Sequence, residues 1–586
     1  MNYYSLFARY LTLLIFKRYV LGKTVEKMAV RRGDAIGLMF ENERITFAQF
    51  NREANRRANF FHSLGVGKGE VVALMMENRP EYLYTLSGLA KLGAVTAAIN
   101  TNLTGQQLIH CLNISGATRL IMGAECLDKL GDVLPKLERI RKEGIFVDTR
   151  WPATAPAPGG AQDLNGLLGG VSDGNPPRVA LRSSDLLAYI YTSGTTGLPK
   201  AARISHLRLF AAGLGLAAYG ADVVAGEGIY CPLPLYHSNG MLIAFGGAMR
   251  NGAALAISRR FRASQCWEEV TRFGATRFIY IGEVLRYLVN TPPGPYDRAH
   301  KVTHVLGNGL RPDIWKQFQE RFGIRNIREF YASTEGNAAM LNLNNAVGSC
   351  GDSIIRPSNL ALVRFDTDRN EYIRGADGFC QRCPPGEVGE LLGHIKPATT
   401  PFGGYANAEE TEKKLLRNVF KKGDVYFKTG DLLKRDEAGN HYFVDRIGDT
   451  FRWKGENVST QEVQELVNTY PGIQMSNVFG MTVPGADGRA GMAVLVMNPG
   501  AKLDAAAFFR HTQEHLPAYA RPAFVRIAGE AILTGTFKLK KAELLKEGFD
   551  PGSVKDPLFY RDEGKGSYLP LTGPVYKDIQ GGKIRF

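Results

Sequence analysis

Cysteine is sparse in this chain. Seven cysteines lie scattered over 586 residues, an odd number, which fits reduced thiols in a reducing compartment better than a disulfide framework. Cys380 and Cys383 form a lone CxxC. No second such pair and no spaced histidine pair accompanies it, so loop cysteines are the expected reading rather than a zinc site. A repeat of fixed short period is lacking. Zinc-finger spacing and basic blocks interleaved with aromatics are lacking too, which argues against nucleic acid as a partner. The start has neither the basic segment nor the small-residue cleavage site of a secretory signal, so none is expected. Its aromatic, apolar stretch Tyr3–Phe16 falls short of the roughly 20 apolar residues that span a bilayer, and Arg9 interrupts it.

What is present describes a large folded protein. Hydrophobic residues make up 44% and charged residues 22%, a globular composition, and the length calls for two or more domains. A formal net charge of +15 would draw phosphates or acidic lipid surfaces. The tyrosines of Tyr3–Phe16, followed by Lys17 and Arg18, suit a helix lying in a membrane interface. A helix packed on the protein's own core is the alternative. The first reading places the chain at the cytoplasmic face of a membrane, peripheral or monotopic, with residues 1–26 as the interfacial segment.

Beyond it, short apolar runs alternate with longer amphipathic ones. Val71–Met76 reads as a strand, Glu81–Leu92 as a helix and Ala94–Ile99 as the next strand. Such alternation predicts an α/β fold with a large, doubly wound N-terminal domain of mainly parallel sheets, over 27–447. Pro152–Gly160, rich in Pro, Ala and Gly, reads as a surface loop. Leu186–Tyr191, Arg277–Ile281, Val302–Leu306 and Ile327–Tyr331 are further strand candidates, each followed by a polar or glycine-bearing loop of the kind that collects ligand contacts. Charge and glycine thicken around Asp445–Gly455. A hinge is expected there, with a small mobile α+β C-terminal domain over 448–586.

One loop carries the most specific chemistry. Tyr191-Thr-Ser-Gly-Thr-Thr-Gly-Leu-Pro-Lys200 leaves the carboxyl end of a buried strand and is rich in donors: glycine amides, the hydroxyls of Thr192, Ser193, Thr195 and Thr196, and the Lys200 ammonium. Gly194 and Gly197 let backbone amides approach phosphate oxygens. A P-loop NTPase would place Gly-Lys-Ser/Thr at the end of the loop; here Pro199 and Ala201 stand where that second Gly and the Ser/Thr belong. The string instead resembles the phosphate loop of the adenylate-forming superfamily, which contains acyl-CoA synthetases, adenylation domains of peptide synthetases and firefly-type luciferases.

Further motifs follow in that superfamily's order. Tyr331-Ala-Ser-Thr-Glu-Gly336 resembles its adenine and magnesium motif, which implies Tyr331 along the adenine, Thr334 on a phosphate oxygen, and Glu335, with Thr196, as the Mg²⁺ ligands. One carboxylate beside a polyphosphate is chemically sufficient for Mg²⁺. Gly307-Asn308-Gly309-Leu-Arg311 resembles the segment running along the adenine. Lys428-Thr-Gly-Asp-Leu432 resembles the ribose motif, in which Asp431 accepts from both hydroxyls, and Arg446 would bind ribose or phosphate. His237, in Pro232–Asn239, matches a position beside the acyl carboxylate. A general-base role for it is not required, because a carboxylate is already ionised near neutral pH. Lys538, in Thr534-Gly-Thr-Phe-Lys538, takes the position of the catalytic lysine, with Phe537 replacing the usual glycine and Lys540 and Lys541 close by. Gly448 stands where many relatives carry Asp in the hinge, next to Asp449.

Phe451-Arg-Trp-Lys-Gly-Glu-Asn-Val-Ser-Thr460 and Asp556-Pro-Leu-Phe-Tyr560 resemble the very-long-chain acyl-CoA synthetase and fatty acid transport protein branch. The resemblance implies ATP, Mg²⁺ and coenzyme A, with a long or very long fatty acid as substrate. It also implies a two-step reaction: acyl-AMP forms first, then acyl-CoA and AMP. A homodimer is compatible with it. Two other readings stand beside this one: a fatty acyl adenylate ligase with a different acceptor, and a membrane-associated uptake or binding protein whose nucleotide site is inactive.

Overall fold

The structure, a computed structural model, describes residues 3–16, 19–192, 198–355, 358–367, 369–454, 456–484, 486, 488–529 and 541–586. Among these, two large sheets organise the first half of the chain. In the seven-stranded one, Val71–Met75 and Val95–Ala98 lie centrally and parallel, next to Arg119–Gly123 and Leu186–Thr192, and Lys200–Ser205 closes one edge antiparallel. The nine-stranded sheet runs parallel from Asn326–Ala332 through His304–Asn308, Arg277–Ile281, Gly228–Cys231 and Ala254–Ile257 to Ile36–Phe40, with antiparallel strands at both ends.

The local reasons are in the sequence. The strand Val71–Met75 is apolar on both faces because both are buried, Val72 and Leu74 in one core and Ala73 and Met75 in another. The helix Pro80–Leu92 opens on Pro80, whose missing amide hydrogen costs nothing at a first helical position, and stops at Gly93, which takes φ +73°. Asn78, just past the first strand, ties the two sheets together: its amide donates to the carbonyls of Leu233 and Ser258 and accepts from the amide of Leu235.

The mainly parallel α/β architecture expected from alternation is what forms. Two features depart from it. The strand expected at Val302–Leu306 begins at His304 and continues through Asn308, because Gly307 and Asn308 pair with Tyr280 and Ile281. A side chain at 307 could not do this, since its Cβ would sit 2.3 Å from the Tyr280 carbonyl oxygen. The stretch from Leu360 to Arg446 also folds into a third sheet, wholly antiparallel, built from Leu360–Val363, Val388–His394, Val425–Arg435, Leu415–Arg417 and His441–Arg446.

Past Phe451 a separate hydrophobic core assembles around the five-stranded sheet that begins with Ile473–Thr482 and Arg489–Met497, with the helices Thr460–Asn468 and Ala505–His515 packed on it. The N-terminal helix Tyr3–Phe16 buries Leu6 and Leu13 against the main core and leaves Ala8 and Arg9 exposed. It rests on the helix His206–Ala212 and the π-helical stretch Gly213–Gly220. No helix among the described residues is long and apolar enough to cross a membrane.

Candidate active site

A cavity of about 1270 Å³ opens where the carboxyl ends of the large sheets meet the antiparallel sheet. Thr192 and Lys200 face each other across an antiparallel register at one side. The Lys200 ammonium is paired with the Glu410 carboxylate and lies 5.8 Å from the centre of the Tyr405 ring. Tyr405 donates its hydroxyl hydrogen to Glu335 Oε1 at 2.6 Å. Burial and that neighbouring carboxylate hold the phenol pKa well above its ordinary value.

The loop bearing Thr334 and Glu335 is held from below by a half-buried arginine. The Arg208 guanidinium donates to the carbonyl oxygens of Ser333 and Gly336. Desolvation lowers the Arg208 pKa while the Glu335 charge opposes it. From the other side, Ser238 Oγ lies 3.3 Å from Thr334 Oγ1, and Asn239 donates to Asn308 Oδ1 at 2.9 Å. The His237 segment, the Thr334 loop and the Asn308 loop therefore wall one space. His237 itself is half-buried, its ring tilted against Tyr236 at 4.7 Å between centres.

Glu329 fixes the segment from Gly307 to Arg311. Its carboxylate accepts from the amides of Gly309 and Leu310, at 2.9 and 2.8 Å, and from the Tyr280 hydroxyl at 2.7 Å. Complete burial pushes its pKa up to about 8 despite these donors. Gly309 turns with φ +82°, and the loop passes so close to Gly282 that a Cβ there would fall 1.6 Å from the Gly309 carbonyl oxygen.

At the far side the antiparallel sheet places Asp431 directly opposite Arg446. Arg446 Nε lies 3.4 Å from Asp431 Oδ1, and Tyr331 donates to Asp431 Oδ2 at 2.5 Å. The turn before Asp431 is held by Glu390, which accepts from the Gly430 amide at 2.9 Å. Tyr331, Glu335, Asp431, Arg446, Thr192, Lys200, Asn308, Gly309, Thr334 and His237 all border the one cavity. Gly307 lies behind it, in the strand. Gly448 and Asp449 follow Arg446 at the rim, and Lys541 pairs with Asp449 at 3.2 Å. Ser193, Gly194, Thr195, Thr196, Gly197 and Lys538 lie outside the described residues.

Five residues that the motifs did not single out hold this arrangement: Arg208, Glu329, Glu390, Tyr405 and Glu410. Two carried a sequence signal. Glu329 is an acid in a strand whose neighbours Ile327, Phe330 and Tyr331 are apolar or aromatic, and Tyr405 follows the glycine pair Gly403-Gly404. The others reach the site through contacts distant in sequence.

Residues 25–400 match the family described as AMP-binding enzyme. The chain belongs to the AMP-binding enzyme family. This AMP-binding enzyme is 42% identical over 550 residues to long-chain fatty acid transport protein 2 of Rattus norvegicus, covering 92% of this chain and 87% of that one. It is 37% identical over 571 residues to the medium/long-chain-fatty-acid–CoA ligase FadD6 of Mycobacterium tuberculosis, covering 96% and 91%. Its fold matches that of the anthranilate CoA ligase AuaEII, solved in complex with anthranoyl-AMP, with a TM-score of 0.77 at 21% identity over 90% of this chain and 96% of that one.

Proposed function

We propose that this AMP-binding enzyme is a long- or very-long-chain fatty acid–CoA ligase. The observation that carries the reading is the single cavity, which joins a polar end formed by Thr334, Glu335, Asp431 and Arg446 to an apolar side formed by Leu207, Leu214, Leu242 and Ile243. The names of the relatives, a fatty acid transport protein and a fatty-acid–CoA ligase, support the substrate class.

In the first step a fatty carboxylate oxygen bonds to the α-phosphorus of ATP and the bond to the β-phosphate oxygen breaks, releasing pyrophosphate. No proton need be removed, because the acid is ionised near neutral pH. In the second step the thiol sulfur of coenzyme A bonds to the acyl carbon, AMP leaves, and the thiol proton goes to solvent. The difficulty of the first step is electrostatic, since an anion approaches a polyanion, so preorganised donors matter most. Lys200 would meet phosphate oxygens once it parts from Glu410. Asp431 would accept from the ribose hydroxyls, Arg446 would bind ribose or phosphate, Tyr331 would lie along the adenine, and His237 would shape the space for the carboxylate. Lys538 would bridge carboxylate and α-phosphate.

Mg²⁺ fits the donor set. Among the described residues no group of three or more His, Cys, Asp or Glu side chains could cage a metal, and the Glu335 carboxylate borders the cavity that Thr192 and Lys200 also line. That suits an ion whose other ligands are phosphate oxygens and water. When bound it would neutralise phosphate charge. Glu335 would hold it, oriented by the Tyr405 hydroxyl.

The reading includes a division at 447/448, with the smaller part turning about Gly448 and Asp449 between the half-reactions. It also includes docking on a membrane surface through the N-terminal helix, which the net charge of +15 supports. The test is to incubate the purified full chain with Mg-ATP and a fatty acid series, with and without coenzyme A, and to quantify AMP and acyl-CoA. Acyl-CoA that depends on coenzyme A is the expected result. AMP or acyl-adenylate without thioester would point to another acceptor, and no turnover would overturn the ligase in favour of a binding or uptake protein.

A further inference from the structure

Glycines are frequent in the helices behind the apolar side of the cavity, and Gly213 and Gly247 have a packing reason. The π-helical stretches Gly213–Gly220 and Asn239–Phe245 pack against each other. A Cβ on Gly213 would sit 2.7 Å from the Gly246 carbonyl oxygen, and one on Gly247 would sit 2.6 Å from the Ala217 Cβ. Those positions need glycine so that backbones can touch.

Gly215 is different. It lies in the first π-helical stretch, its backbone is not in the left-handed region, and a Cβ there would meet no neighbouring helix. Its one neighbour within 4 Å would be the Ile354 Cδ1, at 3.1 Å. Both Gly215 and Ile354 line the cavity, as do Leu6 and Tyr10 of the N-terminal helix, which packs on the same π-helical stretch. Tyr10 is fastened there by donation to the Thr399 carbonyl oxygen at 2.8 Å. Neither backbone conformation nor helix packing demands a glycine at 215, and what its missing side chain leaves is room inside the cavity. Widened π-helical turns recur at functional sites, and here the widened turn presents its side-chain-free position to the apolar space.

We infer that Gly215, facing Ile354, sets the calibre of the conduit that takes the alkyl chain and so sets the longest acyl group this chain accepts. The inference rests on the fatty-acid reading of the same cavity. Any side chain at 215 would narrow the conduit and displace the distal methylenes of a long substrate, while a short chain that ends before this point would bind as before. A misplaced methylene in an apolar pocket changes kcat/KM by on the order of tenfold or more.

The test compares wild type, G215V and G215V/I354A as full chains, reading kcat/KM for palmitate and for octanoate, with melting temperature as the folding check. G215V should lose about tenfold or more on palmitate and stay within about twofold on octanoate. I354A, which removes the atom facing 215, should restore palmitate turnover in the double variant. Equal losses on both acids without rescue, or an unchanged chain-length profile, would overturn the inference. Calorimetric binding of the two acids to the same three proteins reads it independently of turnover. Should wild type release no AMP, the ligase reading fails, and selective loss of palmitate binding in G215V still decides for Gly215.

Discussion

At the scale of single residues, the cavity is shaped by side chains whose polar atoms are engaged with other protein groups, Tyr405 and Glu329 among them. Tyr405 is a positioning residue: its hydroxyl meets Glu335 Oε1, and its ring lies under Lys200. A hydrogen bond to a charged group contributes about 1.5–3 kcal/mol, so Tyr405→Phe should cost about ten- to a hundredfold in pyrophosphate formation. It should also raise the Mg²⁺ concentration needed for half-maximal rate and leave the melting temperature nearly unchanged. An unaltered Mg²⁺ dependence would remove Tyr405 from this role. Glu329 gives a pH signature. Its folded pKa, about 8, lies above the ordinary carboxyl value, so between roughly pH 4.5 and 8 the folded state holds a proton that the unfolded state has lost. Stability should therefore fall as pH rises through that window, by on the order of 1 kcal/mol per unit at the steepest, and then level off. Denaturant melts across this range should show a slope that Glu329→Gln removes. A slope that persists in Glu329→Gln would assign it to other groups.

At the scale of elements, apolar runs were the readable part. Leu186–Tyr191 appears as the strand Leu186–Thr192 and Glu81–Leu92 as the helix Pro80–Leu92, because continuous burial leaves its mark in composition. The antiparallel sheet of residues 360–446 was not readable from period alone. Its strand Val425–Arg435 mixes Lys428, Thr429, Gly430 and Asp431 among apolar residues, and the last three border the cavity, which interrupts the alternation. Asp431 and Arg446 were legible as motif residues, but the register that sets them opposite each other was not, because register comes from pairing partners remote in sequence. The N-terminal helix shows the same limit. Its composition reads as interfacial, and the structure packs Leu6 and Leu13 on the core while leaving Arg9 exposed. Both surfaces have consequences for a chain lacking residues 1–16. It should lose about 1.5–3 kcal/mol for each buried leucine, visible as a lower melting temperature. It should also sediment less with vesicles containing phosphatidylserine, and undiminished sedimentation would remove this helix as the anchor.

At the scale of the whole molecule, the stretch with Gly448 and Asp449 leads from the antiparallel sheet ending at Arg446 to the separate core that starts at Phe451. Gly448 adopts φ +100° with no atom within 4 Å of where a Cβ would stand. Space is therefore not what keeps glycine there; backbone conformation is. A residue with a Cβ pays roughly 1–2 kcal/mol in the left-handed region, so Gly448→Val should destabilise the arrangement described here relative to any other arrangement of the smaller part. On this side of the link, Lys541 pairs with Asp449 at 3.2 Å, and the helix Thr460–Asn468 brings Gln461 and Glu465 to the cavity rim. Glu465 is buried enough that desolvation raises its pKa, partly offset by Arg311. Those contacts would be given up on turning. If the two half-reactions use two arrangements, a cost applied to one arrangement must change their rates unequally. Pyrophosphate release from ATP and fatty acid, and thioester formation from supplied acyl-adenylate, should therefore shift by different factors in Gly448→Val, with their ratio altered by about fivefold or more. Equal changes in both, or none, would mean that this glycine does not carry the turn.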